Sequence, residues 1–199
     1  SLFGSSSPSY LILQSLDAVN DRMAAFRQQL SELLPRAAAL KERLTASGYP
    51  LTGEESLKLT LCPKYYGYTG AALAQCLMNR HIYPEFYDTD YVVLMLSPAN
   101  TAEDLSRLEE TLLSFPRMVA ITAKPPVAPH PQRILTPHQT LLADREILPV
   151  EQCLGRISAA AAISCPPAIP LVVCGERIDQ QVVDCFHYYG IEHCTVIKA

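Results

Sequence analysis

Residues 116–138 hold six prolines (Pro116, Pro125, Pro126, Pro129, Pro131 and Pro137). Each fixes its own φ and removes a backbone N–H, so neither a helix nor an interior strand can run through such a tract. The stretch is therefore expected to be an extended connector with folded structure on either side. The whole chain has 199 residues, enough for one full domain or two small ones with a real core.

Composition narrows the classes of function. Hydrophobic residues make up 49% and charged residues 18%, so some apolar surface is expected to meet a subunit or a further domain. A formal net charge of -4 leaves no basic footprint for phosphate backbones, which argues against nucleic acid as a partner. No run of 18 apolar residues is present, so no membrane span is expected. Seven cysteines (Cys62, Cys76, Cys153, Cys165, Cys174, Cys185 and Cys194) form no C-x-x-C pair and follow no secretory leader, which reads as reduced thiols in a cytoplasmic protein. Cys185, His187, His193 and Cys194 crowd the tail, but they lack the tight paired spacing of zinc sites, and no metal is expected there.

Before the connector, Leu13, Leu16, Val19, Met23, Phe26 and Leu30 repeat at helical spacing, with Ser7 or Ser9 as candidate cap. A second series, Leu33, Leu34, Ala37, Leu40 and Leu44, continues through Pro35 to a stop at Gly48 and Pro50. Residues 9–47 thus read as one kinked helix or two, and core packing is the ordinary reason for such stripes. From Leu57 to Phe115 the pattern alternates. LKLTLC reads as a strand, TGAALAQCLMNR as a helix, IYPEF as a short strand, YVVLMLS as a buried strand and TAEDLSRLEETLLSF as a helix capped by Thr101 and Asp104. After the connector come a helix near Val150 to Ala162, a strand PLVVC, a helix from Asp179 to Tyr189 and a last strand CTVIK. The fold class expected is a mixed α/β (α+β) chain. Residues 1–50 are a helical arm, 51–116 a small α+β domain with a short sheet, 117–147 the connector and 148–199 a C-terminal α/β unit.

Separated motifs in a fixed order resemble one family. SSSPSYLILQSLD (residues 5–17) resembles a segment that lies downstream of the cofactor lysine in the bacterial ornithine/lysine/arginine decarboxylases. GYTG (67–70), then IYPE (82–85) before a hydrophobic strand, and then GRISA (155–159) with PPAIP (166–170) and GE (175–176) resemble further motifs of that family. The chain departs from the pattern in three places. Cys165 and Ala168 stand in the family's Y-P-P-G-I-P, Cys174 stands in its P-G-E, and His81 stands where a glycine precedes I-Y-P-E. The alanine resists the positive φ that glycine allows.

The resemblance implies a pyridoxal 5'-phosphate enzyme of aminotransferase-like fold, making a polyamine precursor and CO2 from lysine, ornithine or arginine. It implies that this chain is the C-terminal part, with the large cofactor domain missing. That cofactor needs a lysine, in the family preceded by histidine, and none of Lys41, Lys58, Lys64, Lys124 and Lys198 is so placed. No catalytic residue is therefore expected in this chain, which should be inactive alone and bind no cofactor as an aldimine. The resemblance gives Ser5, Ser6 and Ser7 a phosphate contact across a dimer interface, where hydroxyls suit phosphate oxygens; a plain polar loop capping the next helix is the other reading. It also sets Glu85 against the distal charged group of the substrate, the other reading being a solvated strand-end acid. Asp88 and Asp90 read as turn residues. GYTG lacks the Lys-Ser/Thr of a P-loop and reads as a helix entry, while Tyr65, Tyr66 and Tyr68 could line a substrate mouth or an interface.

Two other functions stay open at this point: a stand-alone binding or regulatory module that kept the fold, and a different aminotransferase-like lyase. The expected partners are a basic amino acid and a second copy, in a homodimer or higher homo-oligomer. The arm of residues 1 to about 45 is expected to expose an apolar stripe unless a second copy or a further domain covers it.

Overall fold

The computed structural model describes residues 9–160, 162–165 and 169–198. The element order is α1 (Tyr10–Asn20), α2 (Met23–Ala46), β1 (Leu51–Thr52), β2 (Lys58–Leu61), a 3-10 turn (Pro63–Tyr66), α3 (Gly70–Met78), β3 (Phe86–Tyr87), β4 (Val92–Met95) and α4 (Ala102–Leu113). It continues with α5 (Pro137–Leu142), β5 (Arg145–Pro149), a second 3-10 turn (Val150–Gln152), β6 (Ala162–Cys165), β7 (Ile169–Val173), α6 (Gln180–Tyr188) and β8 (His193–Ile197). Helices and short sheets mix as an α+β fold requires. One sheet has the order β1-β2-β4-β3, and two others are the pairs β5-β8 and β6-β7.

By packing, the chain forms two compact units, Ser1–Leu59 with Met95–Pro116 and Thr60–Leu94 with Arg117–Ala199. In the first, the back half of α2 lies on α4. Leu33, Ala37, Leu40 and Leu44 are buried there, as are Leu105, Leu108 and Leu112 of α4. The expected stop is real: Gly48 takes φ 87°, and Tyr49 N–H returns to Leu44 O at 2.9 Å. Buried Tyr49 then donates its hydroxyl to Leu112 O. Thr101 and Asp104 form the expected capping box, with Thr101 N–H to Asp104 Oδ2 at 2.8 Å and Asp104 N–H to Thr101 Oγ1 at 3.2 Å. The helical arm is two helices, as one of the two expected forms had it; the break falls at Asp21–Arg22, and α2 runs on through Pro35 as the pattern did. α1 buries no residue.

In the second unit the core gathers Val150, Val172, Ile178, Val182, Phe186 and Val196, among others, between α6 and the C-terminal strands. β5 pairs antiparallel with β8 from Arg145↔Ile197 to Pro149↔His193. Asp179 caps α6 by accepting from Val182 N–H at 3.0 Å. The helix expected near Val150 to Ala162 is not formed. Its backbone groups are spent elsewhere: Gly155 turns at φ 79° and donates to Ile178 O, and Ile157 bridges Arg177. Arg156 fixes this segment by reaching Glu146 Oε1 at 2.5 Å and Ile197 O at 2.7 Å.

The connector is extended as its prolines require, yet it is fastened. Met118 N–H donates to Tyr66 O, Ile121 N–H to Lys64 O, and Ile134 and Leu135 N–H both to Gly175 O. Its end also holds the short helix α5, with Pro137 in the first turn and a Thr136/Gln139 capping box.

Candidate functional site

The segment carrying Glu85 is a short antiparallel hairpin. Phe86 pairs with Val93 and Tyr87 with Val92, and Glu85 N–H donates to Val93 O at 2.9 Å. From Tyr83 to Tyr87 exposure alternates: Tyr83, Glu85 and Tyr87 are exposed and Pro84 and Phe86 half-buried. The strand itself is only Phe86–Tyr87 and the chain bends at Glu85 just before it; Glu85 falls in sequence between two open tyrosines, Tyr83 and Tyr87, 70% and 42% exposed. Such a row offers a cation one anionic partner and two aromatic faces.

The turn of this hairpin is built by Asp88, whose Oδ1 accepts from Asp90 N–H and Tyr91 N–H, both at 2.7 Å. The GYTG run packs against it. Gly70 N–H donates to Thr89 O, and a Cβ on Gly70 would come within 2.2 Å of Asp88 O and 2.4 Å of Tyr91 O. Gly67 sits at φ 84°, where a Cβ would meet Met118 Cβ and Val119 O at 2.6 Å. Thr69 caps α3 by accepting from Ala72 N–H. Both glycines serve close packing at a helix entry. His81, in the place of the family pattern's glycine, takes φ 59°, the left-handed region that glycine enters without strain. Tyr65 is exposed, whereas Tyr66 and Tyr68 are buried and cannot line an open mouth.

Behind the hairpin lies a charged cluster that sequence reading missed. Lys64 Nζ donates to Asp90 Oδ1 at 2.6 Å, to Ala123 O at 2.9 Å and to the Tyr188 hydroxyl, while Tyr188 donates to the same Asp90 Oδ1 at 2.8 Å. The Lys64 and Asp90 side chains are 10% and 7% exposed. Burial works against the Lys64 ammonium, but its bonds to Asp90 and Tyr188 outweigh that and hold it above the ordinary lysine range. The Tyr188 phenol is raised first by burial, so it stays a neutral donor. Asp90 Oδ2 is buried with no hydrogen-bond partner among the described residues. Asp90 is a turn residue as expected; its role as an ion-pair partner had no signal in the local sequence.

Ser5, Ser6 and Ser7 lie outside the described residues, as does Ala168. Among the described residues no three His, Cys, Asp or Glu side chains gather as a metal site. Cys185 and Cys194 point into the core, and burial first of all pushes the Cys194 thiol up to about 12. Pyridoxal phosphate requires an amine that can lose its proton to form the aldimine. Lys64 is held as a cation, Lys58 pairs with Glu55 at 2.9 Å, and Lys124 and Lys198 are exposed to water. Lys41 is lowered by burial, with the Glu55 charge acting the other way, and it donates to Glu55 O at 2.5 Å. The described residues therefore do not fit an aldimine site.

Residues 124–191 match the family model for Orn/Lys/Arg decarboxylase, C-terminal domain. Over 199 residues, 90% of the chain, it is 29% identical to "Uncharacterized protein YaaO" of Bacillus subtilis (strain 168), and over 201 residues 28% identical to "Arginine decarboxylase" of the same organism. The chain spans about two fifths of the length of these relatives, 40% and 41%. In fold it is similar to lysine decarboxylase A from Pseudomonas aeruginosa, with a TM-score of 0.77 at 16% identity over 98% of this chain and 43% of the other. The chain thus resembles the C-terminal portion of the Orn/Lys/Arg decarboxylases. No helix among the described residues is long and apolar enough to cross a membrane.

Proposed function

We propose that this chain is the C-terminal portion of a cytoplasmic, pyridoxal-phosphate-dependent decarboxylase acting on a basic amino acid, to which it contributes a substrate wall and part of a dimer interface. The observation that carries this reading is the open face Tyr83, Glu85, Tyr87. Glu85 offers its carboxylate to the distal cation of lysine, ornithine or arginine, and the flanking tyrosines favour a cation over a neutral chain. A charge-assisted hydrogen bond of this kind contributes about 1.5–3 kcal/mol, and a neutral substrate would leave the acid unpaired. Ser5, Ser6 and Ser7 supply hydroxyls to the cofactor phosphate of a partner subunit. The aldimine lysine lies in the part of the enzyme outside this chain, since the lysines described here do not fit that role.

The test is made in the whole decarboxylase. Glu85→Gln should lower kcat/KM for the basic substrate by about 10- to 100-fold and leave the cofactor's absorbance intact. Unchanged kcat/KM would remove Glu85 from the substrate site.

A further inference from the structure

The strand that follows Glu85 pairs over only two residues, Phe86 with Val93 and Tyr87 with Val92. So short a ladder cannot hold its own register against slippage. A slip of one residue would flip Phe86 and Tyr87 to opposite faces and break the Glu85 N–H bond to Val93 O, so Glu85, which leads into the strand, would be re-aimed with them. The Asp88 turn sets the register at one end through Asp90 N–H and Tyr91 N–H, and that turn must itself be held in place.

Three segments far apart in the chain meet at the hairpin turn to do so. Lys64 comes from the 3-10 turn, Asp90 from the hairpin turn itself and Tyr188 from the last turn of α6, and the three close a triangle of hydrogen bonds around Asp90 Oδ1. All three hydrogens of the Lys64 ammonium have acceptors, the third being Ala123 O in the connector. A buried ion pair adds little net stability, because removing both charges from water offsets most of their attraction. What it supplies is direction, since a single oxygen, Asp90 Oδ1, meets both Lys64 and Tyr188. We propose that Lys64, Asp90 and Tyr188 are positioning residues that lock the hairpin register and so aim Glu85 at the distal cation of the substrate, an inference that rests on the reading of Glu85 given above.

The experiment compares selectivity in the whole decarboxylase. The readout is the ratio of kcat/KM for the preferred basic substrate to that for an uncharged isostere, norleucine for lysine or citrulline for arginine. Tyr188→Phe should lower that ratio by about 3- to 10-fold, chiefly through the basic substrate, and add nothing further in a Glu85→Gln background, as expected of two residues acting through one contact. If Tyr188→Phe proves poorly folded, the paired replacement of Lys64→Met with Asp90→Leu removes both charges together and should give the same selective loss. A parallel fall for both substrates, or a loss undiminished in the Glu85→Gln background, would overturn the proposal. Should Glu85→Gln alone leave the ratio unchanged, the assignment of Glu85 fails first and the positioning role fails with it. Amide hydrogen exchange separates the cases: faster exchange at Asp88–Tyr91 in Tyr188→Phe is required by the proposal, and unchanged exchange there sinks it even if Glu85 stands.

Discussion

Leu13, Leu16, Val19 and Met23 recur at the same spacing of three and four as Leu33, Ala37, Leu40 and Leu44, yet the first set is 44–61% exposed and the second at most 2%. Propensity does not separate them, since both runs are helical. The second stripe meets α4 and Tyr49, and the first stays exposed, α1 burying no residue. Periodicity tells which face of a helix is apolar, and only the rest of the fold tells whether that face has a partner. An open stripe of this kind is what a contact surface for a further domain or subunit would present.

The sharpest way to break this comparison is truncation on each stripe. Leu40→Ala should cost about 2–5 kcal/mol, the usual range for a buried leucine, whereas Leu16→Ala should stay within about 0.5 kcal/mol. Urea unfolding of the chain measures both, and similar costs would show that α1 is packed in solution. The next largest effect concerns helix starts. Thr101→Ala removes the hydroxyl that accepts from Asp104 N–H, leaving the backbone bond from residue 101 to Asp104 Oδ2, and should cost about 1 kcal/mol, while Ser9→Ala should cost nothing measurable because Ser9 makes no side-chain cap at α1.

The smallest effect lies between α2 and α4. Arg43 holds Glu109 through two bonds of 2.7 Å, Nε to Oε1 and Nη2 to Oε2. Chiefly through that hydrogen bonding, the Glu109 carboxyl lies below its ordinary value of 4.5. A carboxyl with a lowered folded value stabilises above its unfolded value and loses that contribution as pH falls through the folded one. The unfolding midpoint should therefore drop on acidification below about 4.5, and Arg43→Met should flatten that part of the profile. An identical profile in the variant would show that the pair carries none of the acid sensitivity.

Much of the fold was legible because its signals are local. The capping box at Thr101, the stop at Gly48 and the cap at Asp179 each need only residues within one turn. Thr136 and Gln139 spell the same box around Pro137, so α5 was also readable, but the surrounding prolines masked it. The segment after Val150 misled because its apolar content suits a helix equally well, while its backbone is claimed by Ile178 and Arg177 from a distant part of the chain. The site divides the same way. Glu85 was singled out through its motif and is proposed, while the turn aspartates were readable through turn chemistry. The contacts of Lys64 with Asp90 and Tyr188 span 26 and 124 residues, and nothing in the neighbourhood of any of them announces the meeting.

The saturated ammonium of Lys64 has a consequence for reagents as well as for geometry. Acylating and alkylating probes attack a nitrogen lone pair, and this nitrogen is protonated with each hydrogen already committed to Asp90, Ala123 or Tyr188. In a map of lysine labelling it would remain dark while exposed Lys124 and Lys198 colour quickly. Any slow colouring at Lys64 would then count the moments when the hairpin lets go of α6, turning one amine into a clock for local opening of the fold.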